Sequence, residues 1–140
     1  MATFTSQIYE ILTLNGDNVG SSVVNTINNV NYVDNRILSV PSGSVTTLFS
    51  FDNVPGAGTF VTSSVQYVRI TNNSIVTPIK LIISSSTEAM SYLIATGSSY
   101  MMSSTKMTGS TSGLVFSDVK SVKIEPSGSS ASIEYYIVTA

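Results

Sequence analysis

Hydrophobic and polar residues alternate with a period of two along several stretches of this chain, the spacing of half-buried β-strands. Val45, Thr47, Phe49 and Phe51 share one face, opposite Thr46, Leu48, Ser50 and Asp52. Val65, Tyr67 and Arg69 oppose Gln66, Val68 and Ile70 in the same way. Ile79, Leu81 and Ile83 oppose Lys80, Ile82 and Ser84, and Ile133, Tyr135 and Ile137 oppose Glu134, Tyr136 and Val138. The pattern predicts further strands near residues 4–14, 30–40, 90–96, 98–103, 114–116 and 119–125.

Turn chemistry separates these segments. Pro41-Ser42-Gly43, Asn72-Asn73-Ser74, Thr96-Gly97-Ser98 and Pro126-Ser127-Gly128 suit tight turns, and Pro55-Gly56-Ala57-Gly58 a looser loop. Strands recurring every 8–12 residues with such punctuation predict an all-β fold. The expectation is an antiparallel β-sandwich of about eight strands, a single domain over residues 1–140. One region fits poorly. Residues 15–35 hold seven asparagines (15, 18, 25, 28, 29, 31 and 35) and few large aliphatics. That segment reads as an irregular loop or as an extended arm for a subunit contact.

Composition supports strands over helices. Val, Ile, Thr, Tyr and Phe make up 41% of the 140 residues, and Ser with Thr makes up 30%. Such residues suit a pleated, half-buried surface. Only 10% of residues are charged, and His, Cys and Trp are absent. Disulfides, thiol or imidazole catalysis and His/Cys zinc sites are therefore outside this chain's chemistry. A net charge of −2 with scattered cations (Arg36, Arg69, Lys80, Lys106, Lys120, Lys123) gives no basic stripe for nucleic acid. The opening residues lack a basic segment and carry Glu10 in their most apolar stretch, so no signal peptide is expected. Pro78–Ile83, the longest apolar run, is too short to span a bilayer as a helix.

Motifs for chemistry are weak. Ser103-Ser-Thr-Lys106 and Ser117-Asp-Val-Lys120 match the Ser-x-x-Lys spacing, but the abundance of Ser produces such matches by chance. Eight carboxylates (Glu10, Asp17, Asp34, Asp52, Glu88, Asp118, Glu125, Glu134) include no pair whose facing sequence alone establishes. Gly56-Ala57-Gly58 lacks the third glycine of a dinucleotide fingerprint. Asp17-Asn18 and Asp52-Asn53 could lend oxygens to an adventitious cation, without calcium-loop spacing. Asn72-Asn73-Ser74 matches a glycosylation pattern but reads as a turn. No catalytic, cofactor-binding or metal site is expected, and the chain reads as a non-enzyme that needs no cofactor.

Two features bear on contacts instead. Tyr135 and Tyr136 are adjacent on a strand, so one faces the core and one the surface. Met90, Met101, Met102 and Met107 cluster near Tyr100, as core fillers or as an adaptable interface patch.

The stretches Tyr67-Val-Arg-Ile-Thr-Asn-Asn-Ser74, Ile79-Lys-Leu-Ile-Ile83 and Tyr92-Leu-Ile-Ala-Thr-Gly-Ser-Ser-Tyr-Met-Met102 resemble small virion proteins of tailed phages, of the marine and cyanobacterial type. Residues 119–140 resemble the closing hairpin of the same proteins. The resemblance covers residues 67–140 and implies a jelly-roll-like sandwich on the outside of a particle, with no catalytic residues. It implies a capsid decoration or cement protein on the virion surface, made in the host cytoplasm and bound to the major capsid protein or other virion proteins. The alternatives are a tail, neck or fibre component, or a carbohydrate- or receptor-binding jelly-roll module. Low charge and a Ser/Thr surface favour packing against copies of itself, and a homo-oligomer is expected, with a trimer as first guess.

Overall fold

A computed structural model describes residues 1–61, 64–103, 109–111, 114–116 and 119–140, with 109–111 and 114–116 as backbone only. Among them lie fifteen strands and no α-helix. In chain order they are β1 (Ala2–Tyr9), β2 (Thr13–Leu14), β3 (Asp17–Asn18), β4 (Ser22–Val30) and β5 (Tyr32–Val40). Next come β6 (Thr46–Asp52), β7 (Thr59–Val61), β8 (Val65–Asn72), β9 (Ile79–Ser84) and β10 (Ala89–Ile94). The last are β11 (Ser99–Ser103), β12 (Gly109–Thr111), β13 (Leu114–Phe116), β14 (Ser121–Pro126) and β15 (Ala131–Thr139).

Two sheets form the body. One runs β11-β8-β15-β5 and the other β10-β9-β14-β6, with β7 added in parallel beside β6. The eight main strands pair outermost with outermost: β5 with β15, β6 with β14, β8 with β11 and β9 with β10. That nesting is a long hairpin rolled across two sheets, the jelly roll. About eight strands is thus the count of the roll, and the other strands are additions to it.

Alternation explains the core. Val68, Ile70, Ile133, Tyr135 and Ile137 from one sheet face Phe49, Phe51, Ile79, Leu81, Ile83, Val122 and Ile124 from the other, all buried. Phe49 meets Tyr135 edge-on at 5.5 Å in this layer. Each such side chain contributes about 2 kcal/mol by leaving water. The outer face of β8 is partly covered as well, since Tyr67 is buried and Arg69 half-buried. Its partner stripe therefore does not read as polar.

The predicted strand over 4–14 is shorter, because pairing stops at Tyr9 and resumes only at Thr13. The Asn-rich run carries the hairpin turn, β3, β4 and the start of β5.

Candidate interaction surface

Residues 1–30 form a two-stranded antiparallel ribbon that is a sheet of its own, its base packed on the roll. β1 pairs with β4 from Phe4↔Ile27 to Tyr9↔Ser22, and β2 pairs with β3 at the tip. Asn15 and Gly16 close it with φ of 53° and 91°. Both central residues thus take the positive φ of the type I′ hairpin turn that an Asn-Gly pair favours. Asn29 sits at φ 59° where the register shifts near the base, a bulge that re-aims the ribbon as it joins the body. Between these points Glu10 and Ser21 bond through the amide of Glu10 and carbonyl of Ser21 (2.8 Å), and the Ser21 hydroxyl donates to Glu10 Oε2 at 2.6 Å. Gly20 lies so near that a β-carbon there would collide with the Glu10 carbonyl.

Opposed residues share a face, so Phe4, Ile27, Ile8 and Val23 form one apolar stripe, broken by Ser6 and Asn25. The base of the stripe is anchored. Phe4 packs on Tyr67 (4.9 Å) and Tyr136 (5.5 Å), and Ile27 is buried with Val138. Asn25 Nδ2 donates to Ser103 Oγ of β11 at 2.6 Å. The ribbon thus crosses the outer face of the sheet from β15 to its β11 edge.

Beyond that edge the ribbon is apolar and bare. Ile8, Tyr9, Ile11, Leu12, Leu14, Val19, Val23 and Val24 are each 44–68% exposed. From Asn25 to the turn at Gly16 the ribbon spans up to about 30 Å, at roughly 3.3 Å per residue. Over residues 1–31 its only charged side chains are Glu10 and Asp17. These side chains lie on both faces of the ribbon, Ile8 and Val23 on one and Tyr9 and Val24 on the other, and apolar exposure in this number on one element marks a contact surface.

A second feature lies at the end of the roll where β5 and β7 part. Asn31, Tyr32, Asp34, Arg36, Phe60 and Thr139 help to line a cavity of about 280 Å³ there. Asp34, almost buried, accepts hydrogen bonds from Tyr135 Oη (3.0 Å) and Arg36 Nε (3.1 Å). The bond to Asp34 raises the Arg36 pKa further above its ordinary value. Burial first, then the bond to Asp34, pushes the Tyr135 hydroxyl up to about 12. These three groups satisfy one another, and the cluster's geometry is that of a structural ion pair.

No protein-family model, curated protein or solved structure matches this chain.

The other sequence candidates are dispersed. Glu134 pairs with Arg69 at 3.0 Å on the outer sheet face, and Glu125 with Lys80 at 3.6 Å. Asp52 Oδ1 accepts from the Asn53 amide at 2.7 Å, a local turn contact. Among the described residues no three acidic groups gather into a metal-holding cluster. Residues 104–106 of the first Ser-x-x-Lys segment and 117–118 of the second, Asp118 included, lie outside the described residues, as does Met107. Gly56 and Thr59 exchange backbone hydrogen bonds, which makes Gly56–Gly58 a turn. Asn72 is fully buried, with Nδ2 on the carbonyls of Thr77 (2.8 Å) and Ile94 (3.2 Å), so its amide is a fold fastener and no acceptor for sugar. Tyr135 faces the core and Tyr136 the outer face, where the ribbon's own Phe4 covers it. Met90 and Met102 pack on the core, while Met101 is exposed.

The strand predicted over 4–14 covers the outgoing side of the ribbon, and the return strand β4 is what the sequence reading lacks. Its signal was Leu14-Asn15-Gly16-Asp17, a two-residue hairpin turn between strand-forming flanks.

Proposed function

We propose that this chain is a non-enzymatic structural protein of a phage particle, placed on the outside of the head as a decoration or cement protein. The observation that carries an assembly role is the ribbon. Its distal half offers eight exposed apolar side chains with nothing of its own body to cover them among the described residues. The jelly roll supplies a stiff base, and the Phe4 anchor holds the ribbon at a defined angle to it. A ribbon of this reach can lie across a joint between shell subunits, where apolar burial stabilises both neighbours. Its two carboxylates, Glu10 and Asp17, favour a partner surface that carries cations. The resemblance of residues 67–140 to small virion proteins supplies the kind of particle, since a jelly roll by itself serves many functions.

The test compares shells with and without the protein. Shells that lack it should release their genome at a lower temperature or under milder salt stress. A chain lacking residues 10–21 should fold and fail to attach. Equal stability of the two kinds of shell, or full attachment without the ribbon tip, would contradict the reading. A tail, neck or fibre position uses the same ribbon and separates from the head by copy number.

A further inference from the structure

β5 ends its sheet. It pairs with β15 on one side and, among the described residues, with no strand on the other. Its nine residues run in register without a bulge, and they include no proline or lysine. Bulges, prolines and lysines are among the devices by which sheets blunt an open edge, and the charges β5 does carry, Asp34 and Arg36, are paired with each other. Val33 and Ile37 are 40% and 68% exposed on it.

The backbone of this edge is oriented for pairing. The Asn73 amide bonds to the Ser132 carbonyl, so the even residues of β15 turn toward β8. Alternation turns the odd ones toward β5, as the bond from the Asn31 amide to the Thr139 carbonyl also requires. The β5 partners of those odd residues, among them Asp34 and Arg36, spend their backbone groups inward. Val33, Asn35 and Ile37 therefore present theirs to the open edge.

The residue order is self-complementary. Tyr32-Val33-Asp34-Asn35-Arg36-Ile37-Leu38 is symmetric in polarity about Asn35 and opposite in charge on its two sides. We propose that two copies of this chain pair through β5, antiparallel and two-fold symmetric about Asn35, to join two four-stranded sheets into one of eight strands. In that register Asp34 of each copy faces Arg36 of the other, Val33 faces Ile37, and Tyr32 faces Leu38. Sliding one strand by two residues moves the axis to Asp34 or Arg36 and sets like charges opposite each other, which is unfavourable. Arg36 already holds Asp34 through Nε, and its side chain is 60% exposed, with further donors on the same guanidinium for a second carboxylate. Such an interface is isologous and yields a dimer, or a six-copy assembly with three-two symmetry if a separate three-fold contact exists. It needs no particle, so its failure and that of the decoration reading are distinguishable.

The chain has no cysteine, which makes a single-thiol scan decisive. Across the two-fold axis the Asn35 Cα atoms lie about 5.5 Å apart, within the roughly 4.4–6.8 Å that a disulfide spans. Asn35→Cys should give a covalent dimer under mild oxidation. Ile37→Cys alone should not, because its copies sit about 13 Å apart. A mixture of Val33→Cys and Ile37→Cys should cross-link between the two variants. Asn35→Pro removes an edge-facing amide without touching the β5–β15 ladder, and it should weaken association at least about tenfold by sedimentation. Unchanged strand circular dichroism identifies folded variants, and if the proline variant does not fold the thiol scan alone decides. A wild-type chain that stays monomeric at about 100 µM, or Ile37→Cys cross-linking as fast as Asn35→Cys, would overturn the proposal.

Discussion

Phe4 rests on Tyr67 with ring centroids 4.9 Å apart, and this contact joins the ribbon to the roll. Phe4 also reaches Tyr136, so one side chain of the ribbon meets two strands of the sheet. Phe4→Ala should cost about 2 kcal/mol, from lost burial and lost ring contact. Hydrogen exchange should then quicken at residues 22–30 and stay slow in β15. Equal acceleration in both would mean that the ribbon and the roll open as one unit.

Gly20 holds the place where the two sides of the ribbon come closest. Gly20→Ala forces the new methyl against the Glu10 carbonyl, and the backbone there must shift. Attachment to the particle should fall severalfold while the thermal midpoint of the body moves by less than about 2 °C. An unchanged attachment would remove the upper ribbon from the contact.

Asn72 fastens the loop after β8 to the end of β10. Its amide donates to the Thr77 and Ile94 carbonyls, and its Oδ1 accepts from the Ser74 amide at 3.1 Å. Asn72→Ala leaves these groups unpaired in a buried site, which should cost about 2–3 kcal/mol. Urea denaturation measures this directly. A loss under about 0.5 kcal/mol would show that water replaces the amide.

Alkaline pH should destabilise the roll through Tyr135. Its hydroxyl is pushed up to about 12 in the fold, above the ordinary value of 10.0, by burial and then by its bond to Asp34. The folded state holds this proton more tightly than the unfolded one, so the contribution is complete below pH 10.0 and is lost as pH rises toward about 12. Burial raises Tyr67 and Tyr100 as well, and they add to the same decline. Tyr135→Phe should flatten part of the alkaline limb of the urea midpoint. A variant with the full wild-type limb would assign the decline to the other tyrosines.

The roll was legible where one face of a strand is core and the other is solvent. Ile79, Leu81 and Ile83, and likewise Ile133, Tyr135 and Ile137, are buried as their alternation predicts. Legibility failed in β4. Asn25, Asn28 and Asn29 disfavour strands, and Val23 and Val24 face solvent, so no core imposes a period on them. The sandwich layers followed from turn spacing. The order of strands did not, because pairings such as β5 with β15 join residues about a hundred positions apart. The charge pattern of β5 was visible in the sequence, but only its place at a sheet edge gives that pattern a use.

The most direct test of the particle reading is the copy number of this chain in purified particles, measured by quantitative mass spectrometry against the major shell protein. The reading predicts a stoichiometry comparable to that of the shell protein, falling to near zero when residues 10–21 are removed. A chain absent from the particles would contradict it.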